Sequence, residues 1–323
     1  MMKNRKNIVV LVPCYNEEAV LAHFVEAFAG VRGQLADKIS VDLLFINDGS
    51  TDKTLSIIKK YAKANKYIYY RSFSVNTGHQ SALRAGIAAA GDYDAVIMMD
   101  ADLQHPPACI PKMLDKWQES SAGIVQMLRQ DSKKDVGFVK YATSRLYYSV
   151  INWLSNLRLE YGASDFRLID KKVVSIVNHS PENDLFLRGY FSSLPIKRET
   201  VDYIPAARIA GNSKYTFRKM YKLAREGILQ FSEKPLYIAV NVGLLFAVLS
   251  FLYGLYLVFE YFAGSGRVSG WTSLMVLLLF CFGINFILIG IVGRYLAHGI
   301  SLQKKRPEYV IAEESLPINR GKQ

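Results

Sequence analysis

The chain has 323 residues, is 50% hydrophobic and carries a formal net charge of +12 at pH 7. That length and apolar content are sufficient for a large core and for more than one folded unit. The three cysteines have no CxxC pair, so they indicate neither a disulfide framework nor a zinc site, and they fit a reducing compartment. The positive charge leaves open nucleic acid, an anionic membrane surface and a phosphorylated substrate as partners.

Short apolar runs alternate with helical patterns from the N-terminus to about Val174. The first run follows basic residues, but its continuation, PCYNEE, is acidic and lacks a small-residue cleavage site. It therefore predicts a strand and not a signal peptide. We expect strands at residues 8–12, 41–46, 67–73 and 95–99, and helices at residues 17–28, 52–64, 79–90 and 108–119. Apolar strands joined by helices indicate a parallel sheet covered on both faces.

Polar segments follow three of these predicted strands, at the point where each strand ends. The segments are PCYNEE, NDGSTD and DADLQHPP. In parallel α/β sheets, ligands bind beyond the carboxyl ends of the strands. We therefore expect the three segments to converge on one crevice.

The C-terminal part of the sequence is of a different kind. Residues 236–259 and residues 271–293 carry no charged side chain, and each run exceeds the ~20 apolar residues that cross a bilayer. Basic residues precede the first run and follow the second, namely Arg218, Lys219, Lys222, Arg225, Lys234, Lys304, Lys305 and Arg306. By the positive-inside rule, this pattern predicts two membrane spans with both large ends of the chain in the cytoplasm.

A basic segment, NSKYTFRKMYKLAREGILQFSEKP, lies directly before the first predicted span. Its apolar residues recur at spacings of three and four, and its basic residues occupy another face. This pattern favours an amphipathic helix that lies among lipid headgroups. An ordinary surface helix with a solvated charged face is the alternative. Because lipid headgroups account for the positive charge near the spans, we expect no nucleic-acid partner.

The acidic pair Asp100 and Asp102 directly follows the fourth predicted strand. In an extended backbone, side chains two residues apart point the same way, and Gln104 continues the alternation. Carboxylate and amide oxygens suit a hard divalent ion such as Mg²⁺ or Mn²⁺ that also binds substrate phosphates. The alternative is a helix N-cap at Asp102 followed by a proline-rich turn.

Two other motifs suggest contacts to a nucleotide. Asp48 of NDGSTDKT follows a strand, where its carboxylate could accept hydrogen bonds from a ribose or a base; the alternative is a turn with a capping residue. Gly78 precedes a helix, where backbone donors can approach an anion. The sequence contains neither GxGxxG nor GxxxxGK[ST], so neither a dinucleotide-binding fold nor a P-loop is supported.

The motifs VPCYNEE, INDGSTDKT, NTGHQSALRAGI and DADLQHPP, in this order and spacing, resemble those of the GT-A glycosyltransferases of family 2. With the two spans and RIAGNSKYTFRKMYKL, the chain is similar to the polyprenyl-phosphate group, which includes dolichol-phosphate mannose synthase and bacterial undecaprenyl-phosphate glucosyltransferases. The resemblance covers nearly the whole chain. It implies a Rossmann-like, mostly parallel α/β domain at residues 1–211, an amphipathic juxtamembrane helix at 212–234, a transmembrane hairpin at 235–298 and a cytoplasmic tail at 299–323.

The resemblance also implies site residues. It implies that the nucleotide sugar is bound by Pro13, Tyr15, Glu17, Asp48, Asp100, Arg208 and Lys214. It implies that the acceptor phosphate is bound by Arg129, Lys140, Ser144 and Arg188. It implies that Mg²⁺ or Mn²⁺ is held by Asp100, Asp102 and Gln104. Asp165 and Asp102 are the implied catalytic residues.

The implied reaction is an inverting transfer of a hexose, with UDP-glucose favoured, to a polyprenyl phosphate such as undecaprenyl phosphate. A phosphate monoester has its second pKa near ~6, so the acceptor is already ionised at neutral pH and needs little help from a base. Asp165 is nevertheless taken as the catalytic carboxylate; alternatively, it orients Arg167 or Arg188. The metal would neutralise charge on the departing nucleoside diphosphate.

Other functions stay open on the sequence alone. The sugar could be N-acetylglucosamine, galactose or mannose. A processive polysaccharide synthase would normally carry Gln-x-x-Arg-Trp and more spans, whereas here Gln130 follows Arg129. A non-catalytic membrane scaffold that binds nucleotide sugar is a further alternative. The resemblance places the protein in the inner membrane of a bacterium as a multi-pass protein with a cytoplasmic catalytic domain, and a homo-oligomer is left open.

Overall fold

The computed structural model divides the chain into two compact units. The first comprises Met1–Ser149, Leu157–Phe217 and Arg306–Gln323, and the second comprises Val150–Asn156 and Arg218–Lys305. The residues that the structure describes are 5–130, 152–153, 160, 162–180, 186–205, 230–262, 270–304 and 307–316.

The first unit is built on a mixed sheet that is flanked by helices. Its described strands are β1 (Lys6–Cys14), β2 (Ile39–Asn47), β3 (Ile68–Phe73), β4 (Ala95–Met98), β5 (Ile124–Arg129), β6 (Ala163–Asp170), β7 (Arg198–Tyr203) and β8 (Ile311–Glu314). Its described helices are α1 (Leu21–Leu35), α2 (Thr54–Ala64), α3 (His79–Ala89), α4 (Ile110–Ser120), α5 (Lys171–Asn178) and α6 (Leu187–Ser193). A 3₁₀ turn, Pro107–Cys109, precedes α4.

The strand order in the described sheet is β7-β5-β6-β4-β1-β2-β3-β8. β1 is parallel to both β2 and β4, β2 is parallel to β3, and β5 is parallel to β7. β6 runs antiparallel between β4 and β5, and β8 runs antiparallel on the edge of β3. The predicted mostly parallel α/β sheet is therefore confirmed.

β1 shows why the predicted strands were apolar along their whole length. Every residue from Ile8 to Cys14 is buried, because helices cover both faces of the sheet. On one face Phe24 of α1 packs edge-to-face on Phe45 of β2, with their ring centroids 6.2 Å apart. On the other face Leu11 lies in a second apolar cluster with residues of α3, α5 and α6.

The boundaries of the first predicted helix differ from the structure. The sequence predicted a start at residue 17, whereas α1 begins at Leu21. Asn16 has a left-handed φ of 55°, and the carbonyl of Glu17 accepts hydrogen bonds from the amides of Val20 and Leu21. The chain therefore makes a separate turn before it enters the helix.

The second unit contains two long apolar helices, α7 (Lys234–Phe262) and α8 (Trp271–Gln303). Within them, Lys234–Leu257 and Leu277–Gln303 each have a mean hydropathy of 2.2 and are long enough to cross a bilayer, and almost none of their residues is buried. Large exposed apolar surfaces of this kind are typical of contact with lipid or with another protein. The two apolar helices predicted from the sequence are thus present; their orientation in a membrane stays a prediction.

Two predicted segments have other outcomes. Of the amphipathic helix predicted at 212–234, residues 212–229 lie outside the described residues. Residues 299–323 were expected to form a tail, but the structure places β8 within the sheet of the first unit. A strand of four residues with the sequence IAEE carries too short an alternation to be recognised from its pattern.

Candidate active site

The carboxyl ends of β1, β2 and β4 lie at the same edge of the sheet because the three strands are parallel. Hydrogen bonds join the loops after β1 and β2. The amide of Asn16 donates to Ser50 Oγ over 3.1 Å, and Asn16 Oδ1 accepts from the amide of Thr51 over 2.9 Å. The amide of Glu17 donates to Thr54 Oγ1 over 2.8 Å. Two of the three motifs expected in one crevice are therefore locked together.

The loop after β4 approaches the same place. Cys14, at the end of β1, is 1% exposed. Burial raises the pKa of its thiol well above the ordinary value, and the nearby charges of Glu17, Asp100 and Asp52 raise it further. Since these acidic residues come from the three different motifs, the shift reflects how closely the three loops converge. The Cys14 thiol stays protonated and is not a nucleophile.

The carboxylate of Asp48 is engaged by the loop that follows β3. Oδ1 accepts hydrogen bonds from the amide of Thr77 over 2.7 Å and from its hydroxyl over 3.2 Å. Oδ2 accepts from the amide of Gly78 over 2.9 Å and from Asn76 Nδ2 over 3.0 Å. Asp48 is 3% exposed and shapes this loop. Its predicted contact with a ribose or a base stays a prediction.

Gly49 allows the loops after β2 and β3 to lie against each other. Its φ is +62°, and a Cβ built there would lie 2.4 Å from the carbonyl carbon of Val75. Real Cβ atoms do not come so close to a backbone, so a side chain cannot be accommodated without movement of the loop. The glycine of the NDG motif is thus required by backbone packing beside the site.

Asp100 and Asp102 do not lie in the extended backbone that was expected from their spacing in the sequence. β4 ends at Met98, and the chain then turns through Leu103, which has a left-handed φ of 60°. Oδ1 of Asp102 accepts a hydrogen bond from the amide of Gln104 over 3.1 Å. The loop is therefore an Asx-type turn, since the side chain of Asp102 accepts from the amide two residues ahead. It is neither the extended backbone expected from the alternating polar residues nor the alternative, a helix N-cap.

His105 was not identified from the sequence. Its Nδ1 accepts a hydrogen bond from the amide of Asp100 over 2.9 Å, so the ring proton is assigned to Nε2. The ring is 4% exposed and stacks on Phe166 at a centroid distance of 4.8 Å. Burial lowers its pKa despite the opposing charges of Asp100 and Asp102. His105 is therefore a neutral side chain that supports the loop carrying Asp100 and Asp102, which we call the acidic loop.

His79 joins the acidic loop to β6 and was likewise not identified from the sequence. Its Nε2 lies 3.4 Å from Asp165 Oδ2 and 3.9 Å from Asp100 Oδ1. The His79 side chain is 43% exposed, so the desolvation that acts to lower its pKa is only partial; the hydrogen bond to Asp165 and the charge of Asp100 outweigh it and raise the pKa to about 8. The imidazole is therefore protonated at neutral pH. The only sequence signal was a histidine directly after Gly78 at a helix start.

Asp165 is enclosed by three cationic groups. Its side chain is 11% exposed, and it accepts hydrogen bonds from Arg167 over 3.3 Å and from Arg188 over 3.2 Å, with His79 close to the same carboxylate. Burial would raise its pKa, but the charge of Arg188, the hydrogen bond from His79 and the charge of Arg167 hold it well below the ordinary value. A carboxylate so stabilised in its ionised form is a weak base.

Arg167 is a buried cation beside Asp165. Its side chain is 3% exposed, and its guanidinium lies 4.9 Å over the ring of Phe191. Burial lowers its pKa to about 10, with the charges of Arg188 and Arg198 acting in the same direction and Asp165 opposing them. Among the described residues, no hydrogen-bond acceptor lies near its Nε. The positive charges of Arg167, Arg188 and Arg198 thus lie near one another.

A shallow recess, open to solvent, borders this arginine cluster. It lies where β5, β6 and β7 meet α6. It is lined by Ile124, Gln126, Glu160, Ala163, Arg167, Arg188, Phe191, Ser192, Arg198 and Thr200.

Arg129, at the end of β5, contacts the acidic loop. Its Nη1 donates to Gln104 Oε1 over 3.5 Å. The amide of Arg129 donates to the carbonyl of Gly162, where φ is +80° and a Cβ would lie 2.6 Å from Arg129 O. Of the remaining predicted contacts, Pro13 is buried within β1 and Tyr15 is 39% exposed. Lys140, Ser144, Arg208 and Lys214 lie outside the described residues.

The side chains of Asp100 and Asp102 are of the type that binds a divalent cation together with a substrate, and the cation itself stays a prediction. Among the described residues, no group of three or more His, Cys, Asp and Glu is gathered closely enough to hold a metal ion. Asp100 and Asp102 nevertheless supply two carboxylates, and Mg²⁺ is commonly held by one or two carboxylates together with water and substrate phosphates. The Asp100 side chain is 39% exposed and so is accessible to a cation, and the neutral His105 beside it adds no positive charge.

Comparison with known proteins supplies the context for this site. The model of the family described as glycosyl transferase family 2 matches residues 9–176. The chain is 38% identical over 307 residues to the prophage bactoprenol glucosyl transferase homolog of Escherichia coli (strain K12), covering 94% of this chain and 98% of that protein. It is 37% identical over 307 residues to the bactoprenol glucosyl transferase of Shigella phage SfV, covering 95% and 98%.

Solved structures show a weaker likeness. A mannosyltransferase from Pyrobaculum calidifontis, in complex with GDP-Man and Mn²⁺, is 14% identical with a TM-score of 0.49, covering 71% of this chain and 64% of that chain. Glucosyl-3-phosphoglycerate synthase from Mycobacterium tuberculosis, solved with phosphoglyceric acid, is 18% identical with a TM-score of 0.44, covering 69% and 78%.

The mixed sheet, the acidic loop at its carboxyl edge and the full-length relatives define an enzyme of the glycosyltransferase class. The chain belongs to glycosyl transferase family 2.

Proposed function

We propose that this enzyme transfers glucose from UDP-glucose to a polyprenyl phosphate, such as undecaprenyl phosphate, with inversion at the anomeric carbon. The observation that carries the proposal is similarity along the whole chain: relatives 38% and 37% identical, each covered to 98%, are named bactoprenol glucosyl transferases. The sugar and the lipid acceptor are drawn from those names. UDP as the nucleotide is drawn from the resemblance of the motifs.

On the donor side, the loops after β1, β2 and β4 would hold the nucleotide sugar. Tyr15 is exposed at this edge, where its ring is accessible to a base or a ribose. Asp100, Asp102 and Gln104 would hold Mg²⁺ or Mn²⁺ together with the diphosphate. When bound, the cation would neutralise charge on the departing UDP. Arg208 and Lys214 are proposed to contact the same diphosphate.

On the acceptor side, the protein needs to bring a second phosphate close to the first. Arg129 and Arg188 are proposed to contact the acceptor phosphate, together with Lys140 and Ser144. Arg188 is held by Asp165 over 3.2 Å, and Arg129 is held beside the acidic loop by Gln104. Guanidinium groups fixed in this way can neutralise phosphate charge without reorganising during the reaction.

We further propose that Asp165 positions cations and does not remove a proton. Its pKa is held well below the ordinary value by Arg188, His79 and Arg167. A polyprenyl phosphate, with a second pKa near ~6, is already a nucleophile at neutral pH. The role of Asp165 would then be to fix Arg188 and His79 at the reacting centre.

The two apolar helices would keep the enzyme at the membrane that holds its acceptor. The basic residues flanking these helices favour an inner-membrane location with both large ends in the cytoplasm. UDP-glucose is soluble and polyprenyl phosphate is not, so an enzyme for both must work at the bilayer surface.

The experiment is turnover by the purified full-length protein in detergent with a short polyprenyl phosphate and Mn²⁺. Release of the nucleoside diphosphate is measured for UDP-glucose, UDP-N-acetylglucosamine, UDP-galactose and GDP-mannose, as UDP for the first three and GDP for the last. We expect release from UDP-glucose that depends on the lipid, with one β-linked glucose per lipid by NMR and mass spectrometry. A preference for another donor would change the sugar that we assign to the reaction. Polymer formation would indicate a synthase, and binding without turnover would indicate a scaffold.

A further inference from the structure

The C-terminal strap, residues 308–316, completes the edge of the sheet beyond β3. β8 is antiparallel to β3, and the register pairs Arg71 with Glu314. The pairing continues past β8, where the amide of Ser315 donates to Tyr70 O over 2.9 Å and Ser315 Oγ accepts from the amide of Tyr70 over 3.0 Å. Without the strap, β3 would be an unpaired edge strand.

The strap also reaches the point at which β3 ends. The ring of Tyr309 stacks on Phe73, the last residue of β3, with centroids 4.8 Å apart and planes at 10°. One residue further along the strap, the carbonyl of Val310 accepts a hydrogen bond from the amide of Ser74 over 3.1 Å. These two contacts fix the first residue of the loop that follows β3.

That loop, residues 74–78, leads directly into the candidate active site. The amides of Thr77 and Gly78 donate to the carboxylate of Asp48, over 2.7 Å and 2.9 Å. His79 follows and lies 3.4 Å from Asp165. The loop is therefore held at its start by the strap and at its end by Asp48.

We propose that Tyr309 is a positioning residue for the donor: by stacking on Phe73 it fixes loop 74–78, which shapes the nucleotide side of the active site. The inference rests on the function proposed above for the identity of the donor, but the ordering of the loop does not depend on it. A loop that follows an uncovered edge strand opens locally at a low cost in free energy. The donor would then have to order the loop when it binds, and this cost would weaken binding. The strap supplies that ordering in advance.

The chain offers a control on the strap itself. Lys59 and Glu313 form an ion pair of 2.6 Å, but their side chains are 43% and 37% exposed. Exposed ion pairs contribute little to stability. Glu313→Gln therefore alters the strap without removing what fixes the loop, whereas Tyr309→Ala removes the stacked ring. Tyr309→Phe keeps the ring and removes only the hydroxyl.

The test compares these three variants in the full-length protein. Amide hydrogen exchange is measured at Thr77 and Gly78, UDP binding is measured with Mn²⁺ by calorimetry, and kcat and KM are measured with UDP-glucose. For Tyr309→Ala we expect faster exchange at both amides and a Kd for UDP raised about tenfold, which corresponds to about 1.4 kcal/mol. KM for the donor should rise in parallel while kcat changes less than about twofold. Tyr309→Phe and Glu313→Gln should match the wild type.

Several results would overturn the proposal. One is unchanged exchange at Thr77 and Gly78 in Tyr309→Ala. Another is an equal rise at amides of β1, because that would mean a global loss of stability. A loss of kcat with unchanged KM would also contradict it. If the wild-type protein does not bind UDP, the proposed function fails, and the exchange measurement still decides whether the strap fixes the loop.

Discussion

His79 Nε2 lies 3.4 Å from Asp165 Oδ2, which places a protonated imidazole from the start of α3 against a buried carboxylate of β6. Arg188 donates to the same carboxylate over 3.2 Å. One anion therefore holds cations that come from two separate helices. Because an ionised group with such partners gives up its charge only at low pH, Asp165 stays ionised across the neutral range.

Asp165→Asn separates a positioning role from a base. Removing the charge leaves Arg167 and Arg188 without their shared anion, so the free energy of unfolding should fall by about 3 kcal/mol. Misplaced cations should lower kcat by about 10²-fold. The pH profile of the residual activity should fall on its acid side at the same pH as that of the wild type, about pH 6, because this fall reflects protonation of the acceptor phosphate.

The matched control for this variant is Asp37→Asn, which changes an exposed carboxylate in the turn after α1. It should behave as the wild type in thermal melts and in turnover. Inactivity of Asp165→Asn at every pH, in a variant that still melts cooperatively, would restore Asp165 as an essential base.

The pH dependence of His79 follows from its raised pKa. A group whose pKa is higher in the folded protein stabilises the fold fully below its unfolded pKa, near ~6.5, and this contribution is lost as pH rises through the folded value. For His79 the folded pKa is about 8, so its contribution should disappear between about pH 6.5 and pH 8.5. NMR titration of the His79 ring in metal-free protein measures the pKa. In Asp165→Asn it should move down, and an unchanged value would exclude Asp165 as the cause.

Asp165 contributes with the opposite sign. Its pKa is lower in the folded protein, so its stabilisation is fully present above the unfolded value of about 4 and is lost as pH falls through the folded pKa. Thermal melts of the wild type should therefore show a loss of stability below about pH 4. Asp165→Asn should lack this part of the acid slope, and the same slope in both proteins would place the titrating group elsewhere.

Asp102→Asn tests the proposed cation site. It removes one of the two carboxylates of the acidic loop, while the amide oxygen can still accept the hydrogen bond from Gln104. We expect turnover to fall by about 10²- to 10³-fold, the range found when a charge-stabilising group is lost. Mn²⁺ binding in the presence of UDP should weaken in parallel. Asp115→Asn, on the exposed side of α4, is the control. Full activity in Asp102→Asn would remove the metal assignment.

The strands that could be predicted from the sequence are β1 to β4, and their predicted boundaries differ from the observed ones by no more than a few residues. β1 from Ile8 onward and all of β4 are buried on both faces, and β2 and β3 are buried in part. β6 was not predicted because it carries Asp165 and Arg167 inside the sheet. A charged pair that is buried by mutual compensation has the same pattern as a surface segment, and only the tertiary structure distinguishes them.

The site could be predicted in outline for a related reason. The acidic loop and Asp48 follow predictable strands, so their common edge was expected. His79 and His105 were missed because each is a single histidine, and the side chains that it contacts, Asp165 for His79 and Phe166 for His105, come from the distant strand β6. The hydrogen bonds of Asp48 could not be anticipated either, since they depend on how β2 and β3 lie side by side.

Gly49→Ala tests whether the loops after β2 and β3 depend on their close approach. Alanine must take a φ of +62° and would place its Cβ 2.4 Å from the carbonyl carbon of Val75, so we expect the free energy of unfolding to fall by about 1–3 kcal/mol. The control is Gly30→Ala within α1, where no atom lies within 4 Å of the new Cβ. This second variant should gain about 0.4–1 kcal/mol, because it restricts the unfolded chain. Thermal melts measure both. Equal stability in the two variants would mean that the loop yields at little cost, and that the glycine of the NDG motif is not needed for this packing.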